Sequence, residues 1–66
     1  MPQTTPERAA RWESDMNAMA FLKSAGFELH RDWVWRHPER KTPTEQELDA
    51  AIYLIEEWDF GGIEIT

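Results

Sequence analysis

The apolar residues of this 66-residue chain change period twice, from helical spacing to alternation and back. That pattern restricts the fold to helices packed on a small sheet. Thr5-Pro6-Glu7 reads as a helix start: a hydroxyl cap, a proline suited to the first helical position and an acid at the positive end of the dipole. From there Ala9, Trp12, Met16, Met19, Ala20 and Lys23 form one stripe at about 100° per residue, with Leu22 on its flank. The spacing predicts one helix near residues 6–25, stopped by Gly26 in the left-handed conformation. Residues 1–4 carry no period and are expected to be a frayed tail. Phe21 falls opposite the stripe, either under a wrapping sheet or exposed to a partner.

Between Phe27 and His37 the aromatic and aliphatic residues Phe27, Leu29, Trp33 and Trp35 alternate with polar ones, which is the pattern of strand. A hairpin with His30-Arg31-Asp32 as its loop sets Phe27 opposite Trp35 and Leu29 opposite Trp33. A two-residue loop at Arg31-Asp32 separates those pairs, and a single unbroken strand is the remaining choice. The segment 37–43 is a polar connector with two prolines. Thr44-Glu45-Gln46-Glu47 is a capping box, and Leu48, Ala51, Ile52, Ile55 and Trp58 continue it as a helix near 45–59. Gly61-Gly62 then turns the chain into Ile63-Glu64-Ile65, a short third strand.

These elements predict a single α+β domain over residues 1–66, in the order α-β-β-α-β, with two helices on a small antiparallel sheet. A chain this short hides only about 60 % of its unfolded surface, so large rings must fill much of the core. Four tryptophans, three phenylalanines and one tyrosine supply them. Trp12, Met16, Met19, Leu29, Leu48, Ile52 and Ile55 are the expected core. With no cysteine, a disulfide framework and thiolate metal sites are excluded. No apolar run reaches the roughly 18 residues of a membrane span, and the opening MPQTTPERAA has no signal-peptide stretch.

The chain contains no glycine-rich phosphate loop, no HExxH pair and no nucleophile elbow, so neither catalytic nor cofactor-binding residues are expected. His30, His37, Asp32 and Glu39 are the only candidate metal ligands near one another, and nothing in their spacing fixes them on one face; no metal site is expected. Trp33 and Trp35, interleaved with His30, Arg31, Arg36 and His37, have the makings of a stacking platform. A net charge of −6 opposes direct contact with nucleic acid.

The charge map is lopsided. Residues 1–43 hold six acids against seven bases, whereas residues 44–66 hold seven acids and no Lys or Arg. Glu45 and Glu47 suit a helix N-terminus, but Glu56, Glu57 and Asp59 oppose the dipole at the other end. Residues that break a local rule without local compensation point to function. Asp49, Tyr53, Glu56, Glu57, Asp59 and Glu64 are therefore the candidate contact surface for a basic protein. The competing reading is a solvated acidic face, partly neutralised by Arg31, Arg36, Arg40 and Lys41.

In size and charge, and in the acidic run from Thr44-Glu45-Gln46-Glu47 through Glu56-Glu57-Trp58-Asp59-Phe60, the chain resembles the small acidic accessory proteins of phages and prophages, anti-CRISPR proteins and DNA mimics among them. The resemblance implies a cytoplasmic, non-enzymatic inhibitor in a bacterial host. Its partner would be a basic, nucleic-acid-handling protein. The alternative is a small self-associating structural or regulatory subunit, a homodimer joined by exposed aromatics, whose acidity serves solubility.

Overall fold

The computed structural model describes residues 5–65, so the expected tail at 1–4 lies outside the described residues. Three helices and a three-stranded sheet follow in the order α1 (Pro6–Trp12), α2 (Asp15–Ser24), β1 (Glu28–Leu29), β2 (Val34–Arg36), α3 (Glu45–Trp58) and β3 (Gly62–Ile63). This is the expected α+β class, with one helix more than the stripe predicts.

The expected first helix is broken at Glu13. That residue has φ 67° and ψ −42°, and Ser14 N–H donates to Trp12 O at 2.7 Å across it. The geometry is the γ-turn with positive φ, a rare and strained conformation costing about 1–3 kcal/mol for a residue with a side chain. Two local bonds offset it. Ser14 caps α2 by accepting from Asn17 N–H, and Asn17 Nδ2 donates back to Trp12 O at 2.9 Å. The break resets the helical phase. Ala18 and Leu22 face the core, and Met16 is 74 % exposed where the uninterrupted stripe expected burial. Phe21 packs against Trp12 with ring centroids 5.2 Å apart, so it belongs to the α1–α2 junction.

Gly26 ends α2 at φ 97°, as expected from its freedom at positive φ, and Phe27 N–H closes the turn on Leu22 O. β1 and β2 pair antiparallel, with Leu29 opposite Trp35 and Glu28 opposite Arg36. The loop is therefore Arg31-Asp32-Trp33, one residue later than the expected His30-Arg31-Asp32. Trp33 N–H closes a turn on His30 O, and Trp33 itself takes the left-handed conformation at φ 64°. Asp32 favours this register. Its carboxylate accepts from Val34 N–H and binds Arg36 in a bidentate pair, which the earlier loop would not align. Both registers keep Phe27, Leu29 and Trp35 on one face; only Trp33 is expelled.

β3 pairs with β2 in parallel, Val34 beside Gly62 and Trp35 beside Ile63, so the sheet is mixed and not purely antiparallel. The cause is α3, a helical crossover that returns the chain in the direction of β2. Ile65 lies past the strand and is exposed.

α3 opens with the expected capping box: Thr44 N–H donates to Glu47 Oε1 at 2.8 Å and Glu47 N–H to Thr44 Oγ1 at 3.3 Å. Its buried arc is Glu47, Ala50, Ala51, Tyr53 and Leu54, rotated by one residue, roughly 100°, from the expected stripe. Ala50 and Ala51 permit close approach of α2, and satisfaction by the capping box allows Glu47 to be buried. Ile52 and Ile55 are left 36 % exposed, and Leu48, Met19 and Leu29 are half-buried. Of the expected core, Trp12 alone is buried, joined by Ala18, Leu22, Phe27, Trp35, Ala50, Ala51, Tyr53 and Leu54. The Trp35 indole N–H is buried among them with no acceptor among the described residues.

Candidate interaction surface

The acids from Asp49 to Asp59 divide into two groups. Asp49 and Glu56 face α1. Arg8 Nε donates to Asp49 Oδ1 at 2.8 Å and Arg8 Nη1 to Glu56 Oε1 at 2.9 Å, while Arg11 and the Trp12 indole N–H both reach Asp49 Oδ2. Arg8 and Arg11 project from one side of α1 because they are three residues apart. Burial opposes ionisation of Asp49, but hydrogen bonds from Arg8, Trp12 and Arg11 outweigh it and hold the carboxyl below its ordinary pKa. The hydrogen bond to Asp49 likewise raises the Arg8 pKa, so this contact is fully charged near neutral pH. Asp49 and Glu56 are thus neutralised from the N-terminal helix. Of the middle-segment bases, Arg36 pairs with Asp32 and Glu64.

Tyr53, three and four residues from Glu56 and Asp49, is buried in the core. It does not share an exposed face with the acids. Glu64 is exposed and bound by Arg36 Nε at 3.3 Å, which ties the end of β3 to β2.

Glu57 and Asp59 form the second group. Both are exposed and make no ion pair among the described residues. They bracket Trp58, which is 51 % exposed, and no basic residue occupies the last turn of α3. Asp59 ends the helix in the left-handed conformation, with its N–H on Leu54 O and Ile55 O. That geometry suits an aspartate better than most residues.

The segment after α3 is welded to the hairpin tip. Gly61 N–H donates to Trp33 O at 2.8 Å, and a Cβ at Gly61 would lie 2.7 Å from Asp32 O, so no larger residue fits. Phe60 meets Trp33 edge to face at 5.0 Å and lies nearly parallel to buried Trp35 at 6.5 Å. Trp33 is 54 % exposed on a backbone that disfavours it. Phe60 and Gly61 therefore join the chain just past α3 to the hairpin tip, where Trp33 is exposed, while Glu57, Trp58 and Asp59 are exposed at the end of α3. The three-residue loop with an acid before its last position was the available sign that Trp33 leaves the strand.

The polar constellation around the histidines is not assembled. His37 packs edge-on against Phe27 at 5.1 Å and its Nδ1 accepts from Glu39 N–H, whereas Asp32 is engaged by Arg36. Among the described residues no three His, Asp or Glu side chains converge as metal ligands would. No helix among them is long and apolar enough to cross a membrane.

Fold and surface together define a small acidic α+β protein with exposed tryptophans at the hairpin tip and the end of α3, the latter flanked by exposed acids. The chain belongs to the family described as phage Pam3 gp59 related protein, whose model matches residues 1–66, and it is thus a phage-related protein. No curated protein and no solved structure matches it.

Proposed function

We propose that this chain is a phage accessory protein that works by binding, without chemistry of its own, and docks a basic protein on the corner formed by Glu57, Trp58, Asp59 and Trp33. The observation that carries the reading is the exposure of Glu57 and Asp59, unpaired among the described residues, on either side of a half-exposed tryptophan. Both acids oppose the helix dipole, and neither makes an ion pair among the described residues. Tryptophan is enriched among binding hot spots. The remaining acids of the original set are committed elsewhere: Asp49 and Glu56 hold α1, and Glu64 holds Arg36.

A nucleic-acid-handling host protein is the partner class that this chemistry fits, with carboxylates standing where phosphates would lie and inhibition as the consequence. Capture from a bacterial host lysate tests it. A basic partner retained at low salt, released at high salt and displaced by DNA or RNA supports the reading. A partner indifferent to all three refutes it.

Exposure of Trp33, Trp58 and Ile65 favours a second reading, self-association through apolar contact. Such association strengthens or holds steady as salt rises.

A further inference from the structure

We infer that α1 is an exchangeable arm, which docks on α3 of a second copy of this chain as it docks on its own. The inference concerns a different surface from the aromatic–acidic corner and stands or falls apart from it.

Three observations carry it. The first is the hinge. Glu13 holds a γ-turn at φ 67° that a residue with a side chain adopts only under strain, and it is at this turn that α1 folds back. Opening the hinge to helical dihedrals removes the strain. The second is the sequence on either side. Ala9, Trp12, Met16, Met19 and Ala20 keep one helical stripe straight through the break, so an unbroken helix over 6–24 is the conformation that local spacing prefers. Met16, 74 % exposed beside the hinge, is on that stripe and is left without cover in the closed form. The third is the seat. α1 is seven residues long and is fastened to α3 by Arg8 and Arg11 on Asp49 and Glu56, with the Trp12 indole also on Asp49. Every one of those contacts re-forms when α1 comes from another molecule.

A short strained hinge with an arm held by complementary charge is the setting in which two molecules trade identical elements. Exchange between two copies unites α1 and α2 of each into a straight helix and seats each α1 on the other's Asp49 and Glu56. Met16 of both copies then lies beside the crossing point, where the two hinges run past each other.

Two charge-reversed chains test this. Arg8→Glu with Arg11→Glu makes both α1 and its seat acidic; Asp49→Lys with Glu56→Lys makes both basic. Each reversed residue moves the net charge of −6 by two, so the variants carry −10 and −2 and have no overall attraction. Alone, each repels its own arm. In an equimolar mixture only reciprocal exchange pairs both reversed sets. The mixture is expected to sediment as a heterodimer of about twice the 7.8 kDa chain mass and to melt above either variant alone. A mixture that sediments and melts as the sum of its parts overturns the exchange, whether or not the single variants fold well. In the parent background Glu13→Gly, which accepts positive φ, is expected to lower the dimer fraction at high concentration, and Glu13→Ala to raise it. Equal dimer fractions for the two overturn the hinge as its cause.

Discussion

Asp49 Oδ2 accepts the indole N–H of Trp12 at 2.7 Å, joining the end of α1 to the middle of α3 across 37 residues of sequence. The same carboxylate receives Arg8 and Arg11, so one acid on α3 orients three side chains of a helix too short to persist alone. Replacing it with Asn keeps the size and removes the charge. Asp49→Asn is expected to cost about 1–2 kcal/mol, the range for charge-assisted bonds near a partly wet surface. Urea denaturation checks it; an unchanged midpoint would remove Asp49 from the fold's support.

The same group sets a pH dependence. The folded Asp49 carboxyl has a lower pKa than the unfolded one, so its stabilisation is complete above the unfolded value of about 3.9 and is lost as pH falls through the folded value. Thermal melts should be flat from neutrality to about pH 5 and should fall below pH 4, with the gap between parent and Asp49→Asn closing in the same window. A gap that keeps its neutral-pH size however far the pH is lowered contradicts this origin.

On α3 the two neighbouring positions 52 and 54 should differ sharply. Leu54 is fully buried, and Leu54→Ala is expected to cost about 2–5 kcal/mol. Ile52 is 36 % exposed, and Ile52→Ala should cost no more than about 1 kcal/mol. Chemical denaturation of both variants distinguishes this arc from the one rotated by one residue.

That rotation marks how far the sequence could be read. The capping box at Thr44, the stop at Gly26, the hairpin and the α+β class were all legible, because each depends on residues close in the chain. The buried arc of α3 was not. It is decided by α1 and α2 arriving on adjacent sides, which brings Tyr53 inside and leaves Ile52 and Ile55 at the edge. The break at Glu13 was half legible: Ser14-Asp15 is a helix start, but the stripe through Met16 concealed it. The acidic imbalance of residues 44–66 was plain in the sequence. Its division into acids that hold Arg8, Arg11 or Arg36 and acids with no ion pair among the described residues required the fold.

Trp33 offers a separation of stability from binding. Trp33→Gly relieves the left-handed backbone, worth about 1 kcal/mol, while losing the ring contact with Phe60 and adding freedom to the unfolded chain. The net change in stability should be within about 1 kcal/mol, since these effects are of similar size and opposite sign. Partner binding, by contrast, should fall at least tenfold. A variant that binds like the parent places Trp33 outside the contact surface.

Charge reversal at the end of α3 tests the account most directly. Glu57→Lys with Asp59→Lys changes two exposed side chains that carry no ion pair among the described residues; lysine suits the left-handed cap less well than aspartate but suits the negative end of the dipole better, so the melting temperature should stay close to the parent's. In lysate capture at low salt, the basic partner retained by the parent should be absent from the variant. Retention of the same partner in equal yield by a folded variant would contradict the proposal that this corner is where the protein binds.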